Sequence, residues 1–275
     1  MKKIKLLIKI LFIISAFLII FNKIDLNEIK NIKLQNPFFL LIAFLLFNLS
    51  QIISAFRIQH YLSHIKITPQ FKKQLMLYYV GMFYNTLLPG GIGGDAYKAY
   101  KFEKEFKTGY KQIIKALLID RISGLFAIFT LVGILIFFSN FKIFIIYISF
   151  LAIISPITLF IIHKSFFKEF KFYPFVYSLI IQSLQAFTFV FILYSLGFKD
   201  YTVDLVILFF ISSVISVIPL SVGGVGLREL TFLYGMEFIH LNPAIGIISA
   251  FIFFLITLIS SAFGSFFINK VEKIT

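Results

Sequence analysis

Six stretches of the chain run nearly free of charge for the length a helix needs to cross a bilayer: residues 4–21, 37–56, 116–138, 143–162, 173–196 and 243–268. About 20 apolar residues span the hydrocarbon core as a helix. Backbone in that layer must satisfy its own hydrogen bonds, which an α-helix does within one segment. The sequence therefore predicts an all-α, polytopic membrane protein. Composition agrees, with 60% hydrophobic residues, 14% charged and a mean hydropathy of +0.97, against about 25% charged in a soluble domain. A soluble globular fold, a disordered chain and a nucleic-acid partner are excluded on that ground. The net charge of +14 comes from lysines between apolar runs and reads as a basic membrane face. Absence of cysteine excludes disulfides and thiol chemistry. His60, His64, His163 and His240 lack the spacing of a metal site, so neither metal nor cofactor is expected. The first run follows Met1-Lys2-Lys3 as a signal peptide would, but no small-residue cleavage site follows it, and it reads as an uncleaved span.

Two further apolar runs, 74–88 and 205–220, are too short for an easy crossing, and each ends in a Pro/Gly cluster. The first cluster reads Pro89-Gly-Gly-Ile92-Gly93-Gly94-Asp95-Ala-Tyr-Lys98, the second Pro219-Leu-Ser-Val222-Gly223-Gly224-Val-Gly226-Leu-Arg228. Both fit P-x-x-[IV]-G-G-x-x-x-[KR], and each occupies the third of four apolar segments in its half of the chain. If both runs enter the membrane and return to the same side, most Lys and Arg residues collect on the side of the N-terminus. If 74–88 crossed instead, the six lysines of 98–115 would face outward, against the positive-inside rule. The expected architecture is thus about six full transmembrane helices plus two re-entrant Pro/Gly hairpins. It forms a single membrane domain over 1–275 with half-repeats 1–140 and 141–275. Three crossings in the first half invert the second, the plan of many transporters, whose interrupted segments mark the substrate site.

Proline ends each incoming helix and paired glycines permit the reversed turn. A new helix is expected to start near Asp95 and near Gly226, with unsatisfied N–H groups and a positive dipole end at membrane depth. With Lys98 and Arg228 added, each hairpin could cradle a phosphate or carboxylate. The alternative is an interfacial loop with ordinary caps, Asp95 as an N-cap and Arg228 and Glu229 solvated.

Asp120 and Arg121 interrupt an apolar run, where ionised groups are costly. Adjacent residues diverge by about 100° on a helix, so each needs a partner elsewhere. Lys98 or Arg228 would suit Asp120, and Asp95 or Glu229 would suit Arg121. A structural ion pair at the inner interface is the alternative. Ser123 and Gly124 would let another helix approach closely. Of three arginines, Arg57, Arg121 and Arg228, the last two fall among these residues. Tyr78, Tyr79, Tyr84, Tyr97 and Tyr100 surround the first hairpin and read as an interface belt or a groove lining. The basic stretch 98–115 reads as one amphipathic helix lying on anionic lipid.

At Asn85, Pro89, Gly93, Gly94, Asp95 and Lys98, then Asp120, Arg121 and Gly124, then Pro219, Gly223, Gly224, Gly226, Arg228 and Glu229, the chain resembles the lysylphosphatidylglycerol synthase transmembrane-region (flippase-like) family. This is the membrane half of the multiple peptide resistance factor, and the likeness runs from the second span to the last. The family usually has arginine where this chain has Lys98, which keeps the charge but loses the bidentate fork. The resemblance implies a lipid flippase or translocase that moves a phospholipid or lipid-linked anionic headgroup between leaflets, with the residues just named, Gly124 apart, around the headgroup. The alternative is an intramembrane enzyme or accessory subunit acting on polyprenyl-phosphate or glycolipid substrates. The chain ends seven residues after its last span, so the soluble aminoacyl-transferase domain is expected to be absent and the chain not to be an enzyme. Expected partners are membrane lipids (anionic, aminoacylated or polyprenyl-linked) and a separate transferase or a second copy. The expected location is the cytoplasmic (inner) membrane, with both termini cytoplasmic.

Overall fold

A computed structural model describes residues 14–16, 18–20, 22–23, 32–87, 93–141, 145–167, 172–218 and 224–273. Among them the regular structure is entirely helical. In chain order the elements are α1 (Phe38–Ser63), α2 (Phe71–Leu87), α3 (Gly93–Phe106) and α4 (Tyr110–Leu135), which tightens into a 3₁₀ turn at Ile136–Phe138. After them come α5 (Ile145–Ser149), α6 (Leu151–Phe166), α7 (Tyr173–Ser195), α8 (Thr202–Ile215), α9 (Leu227–Phe238) and α10 (Ala244–Ala262). A 3₁₀ segment at Phe263–Phe267 then leads into α11 (Ile268–Lys273). Five of these stretches are long and apolar enough to cross a membrane: Phe38–Ser63, Tyr110–Phe138, Ile145–Phe166, Tyr173–Ser195 and Ala244–Glu272. The chain is an all-α polytopic membrane protein. The run 4–21 lies largely outside the described residues.

The helices pack in two sets with one pattern of neighbours. In the first, α2 lies against α1 and α3, and α4 against α1 and α3; in the second, α8 lies against α7 and α9, and α10 against α7 and α9. The sets join through α1 on α7, α4 on α7 with α10 on α1, and α4 on α8 with α10 on α2. One large apolar core is built from α7, α8, α9 and α10 around Phe189, Phe209, Phe232 and Phe253. There Phe189 stacks on Phe209 at 4.8 Å and on Phe232 at 5.3 Å. A second core at the other end gathers Tyr61, Val80, Phe102, Ile113 and Val271. Outward faces carry bare apolar side chains such as Leu41, Leu45, Ile153 and Ile161, which suits lipid and not water.

Close helix approaches rest on glycine. A Cβ on Gly94 of α3 would overlap the Gly81 carbonyl of α2, and one on Gly264 would overlap the Tyr79 carbonyl. Small residues at such crossings let backbones touch, the usual means of helix association in lipid.

Two expectations about the helices change. The span predicted at 37–56 continues as α1 to Ser63, because Ala55, Ile58, Tyr61 and Leu62 extend its buried stripe. Arg57, the first residue beyond that predicted span, is thus a buried helical residue. The basic stretch 98–115 is not one surface helix. Lys107 (φ 50°) and Gly109 (φ 94°) break it, and the Gly109 N–H donates to Glu103 Oε2 at 2.7 Å. Lys98 and Lys101 are buried in α3, while Lys111 and Lys115 begin α4.

Candidate functional site

Helix α3 starts at Gly93, where its first N–H groups need acceptors. Asn85, near the end of α2, accepts the Gly94 N–H through Oδ1 at 2.8 Å and ties the two helices together. Asp95 in the first turn takes Lys98 Nζ at 2.7 Å and also the Arg121 Nε from α4. Of the two partners foreseen for Arg121, the structure selects Asp95. The Lys98 stem lies along Gly81, where a Cβ would come within 3.2 Å of it, and its ammonium sits 5.3 Å from the Tyr78 ring centre. Asn85, Gly93, Gly94, Asp95, Lys98 and Arg121 therefore form one cluster, with Lys98 already held by a carboxylate. Tyr84 and Tyr97 meet at 4.8 Å beside it. Pro89 lies outside the described residues.

Asp120 points elsewhere. It is bridged in bidentate fashion by Arg57 of α1, Nε to Oδ1 at 2.7 Å and Nη2 to Oδ2 at 3.1 Å. Neither Lys98 nor Arg228 is its ion-pair partner, a correction to both candidates. The reason is the extension of α1, which carries Arg57 into the bundle opposite α4. Arg57 also donates from Nη1 to Ser178 Oγ on α7 at 3.1 Å, and Ser178 lies 3.0 Å from Ser123 Oγ. Gly124 leaves room for the guanidinium, since a Cβ there would come within 3.2 Å of Nη1. Both members of the pair are buried, at 7% exposure each.

The second hairpin is built differently. Gly224 and Gly226 adopt positive φ of 83° and 86°, a region that costs a side-chain-bearing residue dearly. Helix α9 then begins at Leu227. Glu229, 1% exposed, turns back so that Oε2 accepts the Gly226 N–H at 2.7 Å. It is buried rather than solvated. Arg228 donates from Nη1 to Ser213 Oγ of α8 at 3.1 Å. Its guanidinium lies 5.3 Å from the ring centre of Phe253 and 5.9 Å from that of Phe209. Gly224 makes space for it, because a Cβ would fall 3.2 Å from Nε. Among the described residues no carboxylate lies within ion-pair distance of Arg228. Pro219 and Gly223 lie outside the described residues.

Residues that the sequence reading passed over connect these clusters. Asn48, Gln51, Ser54 and Arg57 recur at helical spacing along α1. Tyr78 O–H reaches Gln51 Oε1 at 3.4 Å, Tyr79 O–H donates to Asn48 Oδ1 at 3.0 Å, and Asn48 Nδ2 donates to Ser260 Oγ at 3.0 Å. Beside Asn48, Phe47 meets Phe253 edge-on at 5.6 Å, and Phe253 is the ring beneath Arg228. A polar row thus leads from the Arg57–Asp120 pair and the Lys98 side to within one aromatic contact of Arg228. The histidines, scattered in sequence, are partly gathered in space: the rings of His64 and His163 lie 5.5 Å apart beside Tyr61 and Phe167.

No curated protein and no solved structure matches the chain. A family model described as the lysylphosphatidylglycerol synthase TM region does match it, in two segments covering residues 6–175 and 170–264. With a match across nearly the whole chain, and with apolar helices arranged as described, the protein belongs to the lysylphosphatidylglycerol synthase TM region family.

Proposed function

We propose that the chain is a lipid translocase, which carries an anionic phospholipid or lipid-linked headgroup between leaflets while the acyl tails stay in lipid. Membership of the family gives a membrane function related to lipid. The observation that carries the finer reading is Arg228: a permanent cation at the N-terminal end of α9, held by a hydroxyl and two aromatic faces and by no carboxylate among the described residues. A cation left uncompensated inside a membrane domain is costly unless an anion joins it. A phosphate matches its planar fork, and the positive dipole end of α9 adds to the attraction. Lys98 occupies the corresponding place in the first hairpin but is paired with Asp95. In this reading Lys98, Asp95 and Arg121 form an exchangeable entry site, since a phosphate can compete for Lys98 and Arg121. The polar row along α1 offers the headgroup hydrogen bonds between that site and Arg228.

Both hairpins are read as re-entrant, in an inverted arrangement, with both termini and α3 on the cytoplasmic side of the cytoplasmic membrane. The exposed Lys104, Lys107, Lys111 and Lys115 would then face anionic lipid from inside. A Lys104→Cys variant of this cysteine-free chain tests the orientation. Labelling by an impermeant maleimide only after the cells are opened is expected, and labelling of intact cells contradicts it. The function itself is tested by leaflet exchange of fluorescent phosphatidylglycerol in proteoliposomes. Exchange well above that of protein-free liposomes, and faster than that of phosphatidylcholine, is expected. Chemical conversion of an added polyprenyl-phosphate substrate, without exchange, would favour an enzyme instead.

A further inference from the structure

The seat around Arg228 holds acceptors as well as a cation. Ser213 and Ser216 stand one turn apart at the end of α8. Ser213 Oγ accepts from Arg228 Nη1 at 3.1 Å. Ser216 Oγ and Arg228 Nε lie 2.9 and 3.2 Å from the point where a Gly224 Cβ would stand, so both border the corner that this glycine leaves open. Each serine has spent its proton on its own helix, Ser213 on the Phe209 carbonyl at 2.9 Å and Ser216 on the Ser212 carbonyl at 2.6 Å. What the two hydroxyls offer a ligand is therefore lone pairs. Ser213 gives one to Arg228, and among the described residues none donates to Ser216 Oγ. Arg228, Ser213 and Ser216 are all half-buried, so a headgroup can reach them.

We propose that this seat selects anionic lipids whose headgroup carries hydroxyl groups: Arg228 holds the phosphate while Ser216 and Ser213 accept from the headgroup O–H. The class is a polyol phosphodiester, with glycerol, inositol or a sugar beyond the phosphate. A headgroup that enters a protein cavity leaves its water behind, and each O–H then needs an acceptor. A phosphodiester capped by an alkyl group gains the same contact with Arg228 but brings no donor. It strips water from the serine oxygens without replacing it. A choline headgroup fails for the same reason, since its nitrogen carries no N–H. A primary ammonium has N–H groups to give, but it would come to rest beside a permanent guanidinium. Among the described residues no carboxylate lies within ion-pair distance of Arg228 to offset that repulsion. A hydroxyl enters uncharged. The first cluster is furnished differently, with Asp95 between Lys98 and Arg121, so the selection is assigned to the Arg228 end.

The proposal rests on the lipid-translocation reading, and the experiment tells the two apart. Proteoliposomes carry acyl-labelled phosphatidylglycerol or phosphatidylpropanol, diesters of equal charge whose headgroups differ only by hydroxyls. After subtraction of the protein-free rate, the wild type should move phosphatidylglycerol about tenfold faster, the worth of one well-made hydrogen bond. Ser216→Ala should bring phosphatidylglycerol close to the phosphatidylpropanol rate and leave phosphatidylpropanol unchanged. A variant that slows both lipids alike, as a merely structural role would, overturns the assignment to Ser216. Equal wild-type rates overturn the selection and leave the translocase reading standing. Native mass spectra of the detergent-purified protein, with the two lipids in competition, report binding without transport. Preferential retention of phosphatidylglycerol, lost in Ser216→Ala, without exchange in liposomes would overturn translocation and keep the selective seat.

Discussion

Replacing Arg57 with alanine is expected to destabilise the protein by roughly 3–5 kcal/mol, the usual cost of leaving one member of a buried ion pair alone. Asp120 would be left in the bundle interior with its bidentate partner gone, and Ser178 would lose the donor that Arg57 supplies. Asp120→Ala should be similarly damaging, because the guanidinium would retain only Ser178 and cannot shed its charge. The double variant Arg57→Met/Asp120→Leu removes both charges and restores apolar volume, and should recover most of the loss, as buried pairs replaced together commonly do. Arg121→Ala is the contrast: Asp95 keeps Lys98, and the Arg121 side chain is partly open to the surroundings, at 42% exposure, so the change should be within about 1 kcal/mol. Thermal unfolding of the four purified variants in one detergent measures all of these. An Arg57→Ala protein that melts with the wild type would mean that the pair does not hold α1 to α4.

The second large effect falls on transport. Arg228→Ala should reduce exchange of anionic lipid by about a hundredfold or more, because losing a charge-assisted, bidentate contact to a buried anion costs about 2–5 kcal/mol. Its structural contacts are one hydroxyl and two ring faces, so the fold should tolerate the change far better than it tolerates Arg57→Ala. Arg228→Lys should fall between, at about a tenfold loss. Lysine keeps the charge but loses the fork and most of the stacking on Phe209 and Phe253. Exchange of a zwitterionic lipid should respond less to both substitutions.

What the sequence disclosed follows from which physical signals survive in one dimension. The spans were legible because transfer from water to lipid depends on composition over a window, and Tyr110–Phe138 or Tyr173–Ser195 need no partner to declare themselves. The Asp95–Arg121 pairing was among the options because charges in an apolar run must meet an opposite charge, and few were on offer. Arg57 escaped because it directly follows an apolar run, where a loop would also begin. The signals against a loop were the apolar Ile58, Tyr61 and Leu62 continuing at helical spacing, with the next breaker only at Pro69. The division of 98–115 was written in Gly109, whose positive φ ends the turn between α3 and α4. Asn48, Gln51 and Ser54 were silent because single neutral polar residues barely alter window hydropathy. Their meaning appears only when Tyr78, Tyr79 and Ser260 arrive from other helices. The turn at Gly226 was legible in its glycines, but the burial of Glu229 also depends on the placing of α10, which no local pattern encodes.

The most direct test is leaflet exchange of labelled phosphatidylglycerol by purified wild-type protein and by Arg228→Ala, reconstituted at equal density after their melting temperatures have been compared. Rapid exchange by the wild type, lost in a variant that melts normally, is the expected result. Equal exchange by both would contradict Arg228 as the headgroup seat, and no exchange by a folded wild type under any imposed gradient would contradict translocation itself.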